Sequence, residues 1–240
     1  REILQQNKVM AAIRNASVKK ILSELKALST SNKEKYGEFI AQYNAVLKEG
    51  LYSDWSNMDT LMDLIRFRST AVDGFTSFAE YVERMKEGQK SIYYISGGKE
   101  TALKNSPLVE AYKAKGYEVL VMDDRIDEIV IPNIGKYKEY DLVSVNRKGS
   151  AEELKDEKAE EKAEAIKPLL EKIKEVLGDS VKSVIASSRL SDSPSCIVAD
   201  ENDPTIQMQA ILRSIGQQDA EFAPVLEINP DHEIVKRLAA

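Results

Sequence analysis

The residues best equipped for chemistry fall into small groups along the chain. Ser96-Gly97-Gly98-Lys99 stands between an apolar run and a helical pattern, and glycine amides at a helix start bind anions. A phosphate loop needs four residues between its first glycine and a Gly-Lys pair followed by Ser or Thr, and that spacing is absent. A strand-to-helix turn accounts for the segment. Asp123, Asp124, Asp127 and Glu128 follow a presumed parallel strand, at the end where α/β proteins place ligands. Carboxylates at this density could hold magnesium. Arg125 lies among them, however, and acidic residues favour the first turn of a helix for dipole reasons alone. A metal- or phosphate-dependent α/β enzyme built on the 96–99 loop and the 123–128 carboxylates is thus the alternative reading of the chain.

Other reactive side chains have less support. Arg1 and Gln5 are four residues apart, on one face of a helix. A guanidinium with an amide one turn later could grasp a phosphate, but spacing alone favours a frayed terminal arginine. His232 follows Asn229-Pro230-Asp231 at a helix start, where an uncharged capping or packing role is expected. Ser187, Ser188 and Ser193 lack the G-x-S-x-G context of a nucleophile. One cysteine, Cys196, and one histidine allow neither an internal disulfide nor a zinc cluster. Two apolar patches are candidates of another kind: Ile206, Met208, Ile211 and Leu212 at helical spacing, and Ile129-Val130-Ile131. Burial in a core and exposure to a partner are both open for each.

The chain has 240 residues, 42% apolar and 31% charged, a composition suited to a globular protein rather than a disordered one. Its net charge of −6 argues against general nucleic-acid binding, which needs a basic surface. No apolar run approaches the roughly 20 residues of a membrane helix. The chain opens at Arg1 within a helical pattern and reads as a piece of a longer protein.

Periodicity supplies the elements that position these groups. A helix over 2–28 carries Val18, Ile21, Leu22, Leu25 and Leu28 as its buried stripe. Ser31 and Glu34 form a capping box for a second helix that ends near Gly50 and buries Phe39, Ile40, Tyr43, Val46 and Leu47. A third helix covers 57–67. Alternation then begins: helix 78–86, a buried strand over 91–95, a helical stretch restarted by Ser106-Pro107, strand 117–122, and an edge strand over 140–145. Strand, crossover helix and strand imply parallel pairing. Ser150 and Glu153 cap a long charged helix reaching Leu177 and kinked at Pro168. Strands over 181–187, 195–199 and 225–228 and helices over 204–215 and from 229 complete the chain. The expected fold is mixed αβ: a helical part over 1–75, a small αβα subdomain with parallel strands over 76–147, and an α+β part over 148–240 with a small sheet and helices.

The wording of several segments is distinctive. Arg1-Glu-Ile-Leu-Gln-Gln-Asn-Lys, Leu47-Lys-Glu-Gly, Tyr81-Val-Glu-Arg-Met-Lys-Glu-Gly-Gln-Lys-Ser-Ile-Tyr-Tyr-Ile, Gly116-Tyr-Glu-Val-Leu and Arg125-Ile-Asp-Glu resemble the ninety-kilodalton heat-shock chaperone family, in its bacterial form. So do Leu177-Gly-Asp-Ser-Val, Arg189-Leu-Ser-Asp-Ser-Pro and Leu226-Glu-Ile-Asn-Pro-Asp-His. The resemblance runs through the whole chain in order. It implies part of the middle domain and most of the C-terminal domain of a cytoplasmic, homodimeric chaperone, without the ATP-binding domain and without the last dimerisation helices. Dimerisation is then expected to be weakened or lost, and nucleotide hydrolysis is not expected of this chain alone. ATP and magnesium belong to the parent, and no cofactor, nucleic acid or membrane partner is implied for this chain. Arg1 matches the arginine that reaches the ATP γ-phosphate, and Gln5 its helper. Met208, Ile211 and Leu212, with Glu128 and Ile129, match segments facing unfolded or partly folded client proteins. Ile129 stands where some relatives carry tryptophan.

Overall fold

The computed structural model describes residues 8–155, 158–217 and 222–239. The chain divides into two compact units, Arg1–Arg66 with Ser77–Ala79, and Phe67–Thr76 with Glu80–Ala240.

The first unit is helical: α1 (Lys8–Ser31), α2 (Lys33–Ser53) and, after a 3-10 turn at Trp55–Asn57, α3 (Met58–Leu64). Asn32, not Ser31, caps α2: its side chain accepts from the Lys35 amide. Helix α2 also continues through Gly50, where a β-carbon would stand 3.0 Å from the Leu61 side chain. The glycine therefore lets α3 approach closely rather than stopping the helix.

The buried line of α2 is Tyr36, Ile40, Asn44, Lys48 and Leu51. Tyr43 and Val46, expected inside, are exposed. The reason is a polar grip. Asn44 Nδ2 donates to the Arg66 carbonyl (2.8 Å) and Asn44 Oδ1 accepts from the Arg66 amide (3.0 Å). Tyr36 adds a hydroxyl donated to the Leu64 carbonyl (2.6 Å). These bonds turn the 36–40–44 line inward and leave Tyr43 and Val46 outward, with Phe39 half-buried between the two. On α1 only Leu22 is buried, and Ile21, on the flank of the expected stripe, faces outward.

The second unit holds two sheets. The first comprises β1 (Arg68–Ser69), β2 (Ser91–Ser96), β3 (Val119–Met122), β4 (Lys136–Tyr137) and β5 (Tyr140–Ser144) in the order β1-β3-β2-β5-β4. Helices α4 (Phe78–Glu83), α5 (Glu100–Lys104), α6 (Glu110–Ala114) and α7 (Asp127–Ile134) alternate with these strands. β2 pairs parallel with β3 and with β5, as the crossover pattern requires. β5 is not at the edge, because β4 pairs antiparallel outside it. Every residue of β2 is buried, which explains the unbroken apolar and aromatic run from Ile92 to Ile95 between its terminal serines.

The long charged helix is not one helix. After a 3-10 turn at Glu152–Leu154 come α8 (Ala159–Ala165) and α9 (Lys167–Leu177). Pro168 sits in the first turn of α9, where its missing N–H costs nothing, so the chain restarts there rather than kinking. The second sheet follows: β6 (Ser183–Ala186), β7 (Ser195–Val198) and, after α10 (Ile206–Ser214), β8 (Val225–Ile228), in the order β6-β8-β7. β6 and β8 are parallel, β7 and β8 antiparallel. α11 (Glu233–Ala239) ends the described chain.

One apolar core serves both sheets. Tyr93, Ile95, Val119 and Val121 from the first pack with Leu108, Val109 and Tyr112 of the covering segment and with Val198 and Val225 from the second. A smaller cluster joins Ile166, Ile228 and Val235 with Leu169, Leu170 and Ile173 of α9. Across the first core Arg189, 1% exposed, anchors the second sheet. Its Nε and Nη2 donate to the two oxygens of Glu227 on β8, at 2.9 Å each. Nη1 donates to the Val145 carbonyl and to Ser150 Oγ, and Nη2 to the Arg147 carbonyl. Tyr112 donates to the Ser150 carbonyl and Tyr93 to Glu153. The segment between β5 and α8 is thereby fastened to both sheets.

Candidate functional site

The site is built on the start of α10. Thr205 is its N-cap: the hydroxyl oxygen accepts from the Met208 amide at 3.1 Å, satisfying one of the amides a helix start leaves open. The same hydroxyl donates to Glu128 Oε2 at 2.7 Å, so the cap of α10 is bonded to the first turn of α7, against which α10 packs. Gln207 donates to the Gly97 carbonyl, and buried Gln209 donates to the carbonyls of Pro204 and Phe222. The approach to α10 is held by Arg147, whose Nη1 donates to the carbonyls of Glu201 (2.9 Å) and Asp203 (2.7 Å). Lys182 pairs with Asp200 (2.6 Å) and Asp203 (2.8 Å); these two contacts draw its pKa upward and hold that of Asp200 below the ordinary carboxylate range.

Anchored on that side, α10 turns apolar surface to solvent. Met208, Ile211 and Leu212 are half-buried. Ile206 is 47% exposed and Ile215, just past the helix, 58%. On α7, Ile129 is half-buried, whereas Val130 and Ile131 are core. Glu128 is buried, with one oxygen on Thr205 and the other, Oε1, without a hydrogen-bond partner. The structure therefore brings the start of α10, at Thr205, against Glu128 in the first turn of α7, far apart in sequence. Arg1 and Gln5 lie outside the described residues. Thr205, Gln207 and Gln209 form the joint that sequence reasoning missed. Of these, Thr205 was within reach, since a threonine just before an apolar helical run is a cap signal.

Several of the reactive groups considered from sequence are committed to structure. Gly97 sits at φ +95°, and a β-carbon there would lie 2.5 Å from the Gln207 side chain, so α10 covers Gly97, while Gly98 and Lys99 stay exposed. Asp127 Oδ2 accepts from the Asp124 amide at 3.3 Å, which is the work of a helix-start carboxylate. Among the described residues no group of three or more His, Cys, Asp or Glu could hold a metal ion. His232 Nδ1 accepts from the Ile234 amide at 3.2 Å, a local capping bond. Burial pushes the Cys196 thiol up to about 12, with the Glu227 charge adding to it, so no thiolate nucleophile is available near neutral pH. A cleft of about 800 Å³ includes Arg147, Ser150, Ser187, Arg189 and Glu227 in its lining; the guanidinium and carboxylate of its buried pair already satisfy each other. No described helix is long and apolar enough to cross a membrane.

The geometry is thus that of an apolar helix edge whose other side is held by polar contacts. The family model described as Hsp90 protein matches residues 1–240. The chain is 54% identical to the chaperone protein HtpG of Treponema denticola, with 99% of this chain aligned to 39% of that protein. Against the chaperone protein HtpG of Treponema pallidum the identity is 53%, over the same shares. Against that of Borrelia garinii subsp. bavariensis it is 51%, again covering 99% of this chain and 39% of the relative. The chain spans about two fifths of the length of these curated relatives. Matched from end to end by the family model and at this level of identity, the chain belongs to the Hsp90 family, in its bacterial HtpG-like branch.

Proposed function

We propose that this chain is the client-binding and coupling part of an ATP-driven chaperone, acting in the cytoplasm as part of a homodimer. Residues 76–147 contribute the end of a middle domain and residues 148–240 most of a C-terminal domain. In the parent, ATP and magnesium occupy a separate nucleotide domain. Arg1 and Gln5 assist hydrolysis there by placing a cation and an amide against the transferring phosphoryl group. ATP favours the closed dimer only by binding that state more tightly than the open one.

In this reading, Met208, Ile211, Leu212 and Ile129, together with the exposed Ile206 and Ile215 at the two ends of α10, receive unfolded or partly folded proteins, and Glu128 positions α10 through Thr205. The observation that carries it is the exposed apolar edge of α10, held from behind by a polar joint. A methionine-bearing apolar surface adapts to varied partners, and a rigid mount lowers the ordering cost of binding them. Replacing Ile206 and Ile215 together by serine tests this. Affinity for a reduced, permanently unfolded protein, measured by fluorescence anisotropy, is expected to fall about tenfold or more, since each exposed isoleucine offers roughly 1–2 kcal/mol of apolar burial. Melting temperature should hardly move. Undiminished client affinity in a folded double variant would remove α10 from client binding.

A further inference from the structure

Between β6 and β7 the chain makes the turn Leu190-Ser191-Asp192-Ser193-Pro194. Three consecutive amides of that turn converge on a single atom. Ser191, Asp192 and Ser193 donate to Glu110 Oε2 at 2.9, 2.9 and 3.1 Å. Ser193 Oγ donates to the other oxygen, Oε1. Convergent backbone amides form a concavity for anions, and a charged acceptor strengthens each bond well beyond a neutral one.

The turn keeps its shape by other means. Asn229, 1% exposed, donates from Nδ2 to the carbonyls of Ser191 (3.2 Å) and Ser193 (3.0 Å), and its own amide donates to the Pro194 carbonyl (2.9 Å). Asn229 Oδ1 is itself fixed by the Asp231 amide at 3.0 Å. The carbonyls of the turn are thus tied to the end of β8, and its amides are left facing α6. The carbonyls of Ser191, Ser193 and Pro194 are held without Glu110.

We propose that the 191–193 turn is a preformed receptor for a carboxylate group, and that Glu110 is the tethered ligand with which the chain fills it. Glu110 latches the start of α6 to the β6–β7 turn by its charge. The adjoining backbone bond from the Ala111 amide to the Arg189 carbonyl (3.0 Å) keeps the two segments aligned when the carboxylate leaves. The pKa of Glu110 fits an occupied receptor. Partial burial pushes it up, yet the bonds from Ser193 Oγ and the three amides outweigh that and leave it below the ordinary glutamate value.

The test empties the receptor and offers it a free carboxylate. In the Glu110→Ala chain, sodium formate is titrated against sodium chloride at matched ionic strength. The amide resonances of 191–193 are followed by nuclear magnetic resonance together with the melting temperature. Formate should shift those three amides saturably and restore most of the Tm lost by the substitution, while the unsubstituted chain responds to neither salt. Adding Asn229→Ala to Glu110→Ala should abolish the formate response. Formate acting no differently from chloride on a folded Glu110→Ala chain would overturn the proposal. Should that variant fail to fold, hydrogen exchange decides in Glu110→Gln: the three amides should exchange about tenfold faster for loss of the charged acceptor, and unchanged exchange overturns the proposal.

Discussion

Replacing Arg189 by methionine should be among the most damaging single changes in the second unit. The guanidinium is 1% exposed and its partner Glu227 3%, so neither charge can turn to water. Removing the cation leaves a buried carboxylate whose remaining contact is the Ser187 hydroxyl at 2.7 Å. It also leaves the Val145 carbonyl without the donor that now reaches it from Arg189, whereas the Arg147 carbonyl keeps the Ser150 hydroxyl at 3.0 Å. Breaking a buried pair by removing one member costs about 3–5 kcal/mol, and each orphaned buried acceptor adds about 1–3 kcal/mol unless water enters. A loss of at least about 3–5 kcal/mol corresponds to roughly 6–20 °C in Tm for a unit of this size. The companion double variant, Arg189→Met with Glu227→Leu, removes both charges and should recover about 2 kcal/mol or more of the loss, because no uncompensated charge remains. Urea unfolding followed by circular dichroism gives the free energies. Hydrogen exchange at Val145, Arg147 and Lys148 shows whether the damage lies where the donors were. A folded Arg189→Met variant less than about 1 kcal/mol below the parent chain, or a double variant worse than the sum of its singles, would refute the reasoning.

Gly97→Ala places a β-carbon 2.5 Å from Gln207 at φ +95° and should cost about 1–3 kcal/mol; adding Gln207→Ala should return the part due to collision but not the part due to backbone strain, as a double-mutant cycle in urea would resolve. Asn44→Leu removes both bonds to the Arg66 backbone and should destabilise the first unit by about 1–3 kcal/mol, with exchange of the Arg66 amide accelerating first. Tyr43→Ser, on the exposed side of the same helix, should stay within about 0.5 kcal/mol. The Glu110 latch has a defined acid limb. Its folded pKa is depressed, so its contribution is full above the ordinary glutamate pKa of about 4.3 and is lost as pH falls through the lower folded value. The Tm difference between the parent chain and Glu110→Gln should therefore be constant from neutral pH down to about that point and shrink below it; a difference that grows on acidification would show the sign to be wrong.

What could be read from sequence was whatever a short window determines. β2 is buried along its whole length and its aromatic and β-branched run states as much without any partner. Parallel pairing of β2 with β3 followed from the helices between them, and Ser106 caps the turn at Pro107 as its spacing suggests. What could not be read depends on polar groups meeting over distance. Asn44 looks like an exposed position until the Arg66 backbone, 22 residues away, comes to it. Pro168 signals a break, but whether the helix bends or restarts depends on where the preceding turn ends.

The joint of the candidate site shows the same limit from the other side. Thr205 announces itself as a helix cap, but the second use of its hydroxyl, on Glu128 across 77 residues, has no local signature. A hydroxyl can accept and donate at once, and here the two bonds do different work: one starts α10, the other decides what α10 lies against. Serine in place of Thr205 keeps both bonds and a valine keeps neither, although valine is the closer match in shape. A residue chosen for its capping chemistry therefore also sets the placement of the apolar surface that follows it, and only a cap without a donor, as in Thr205→Asp, would keep the first bond and lose the second.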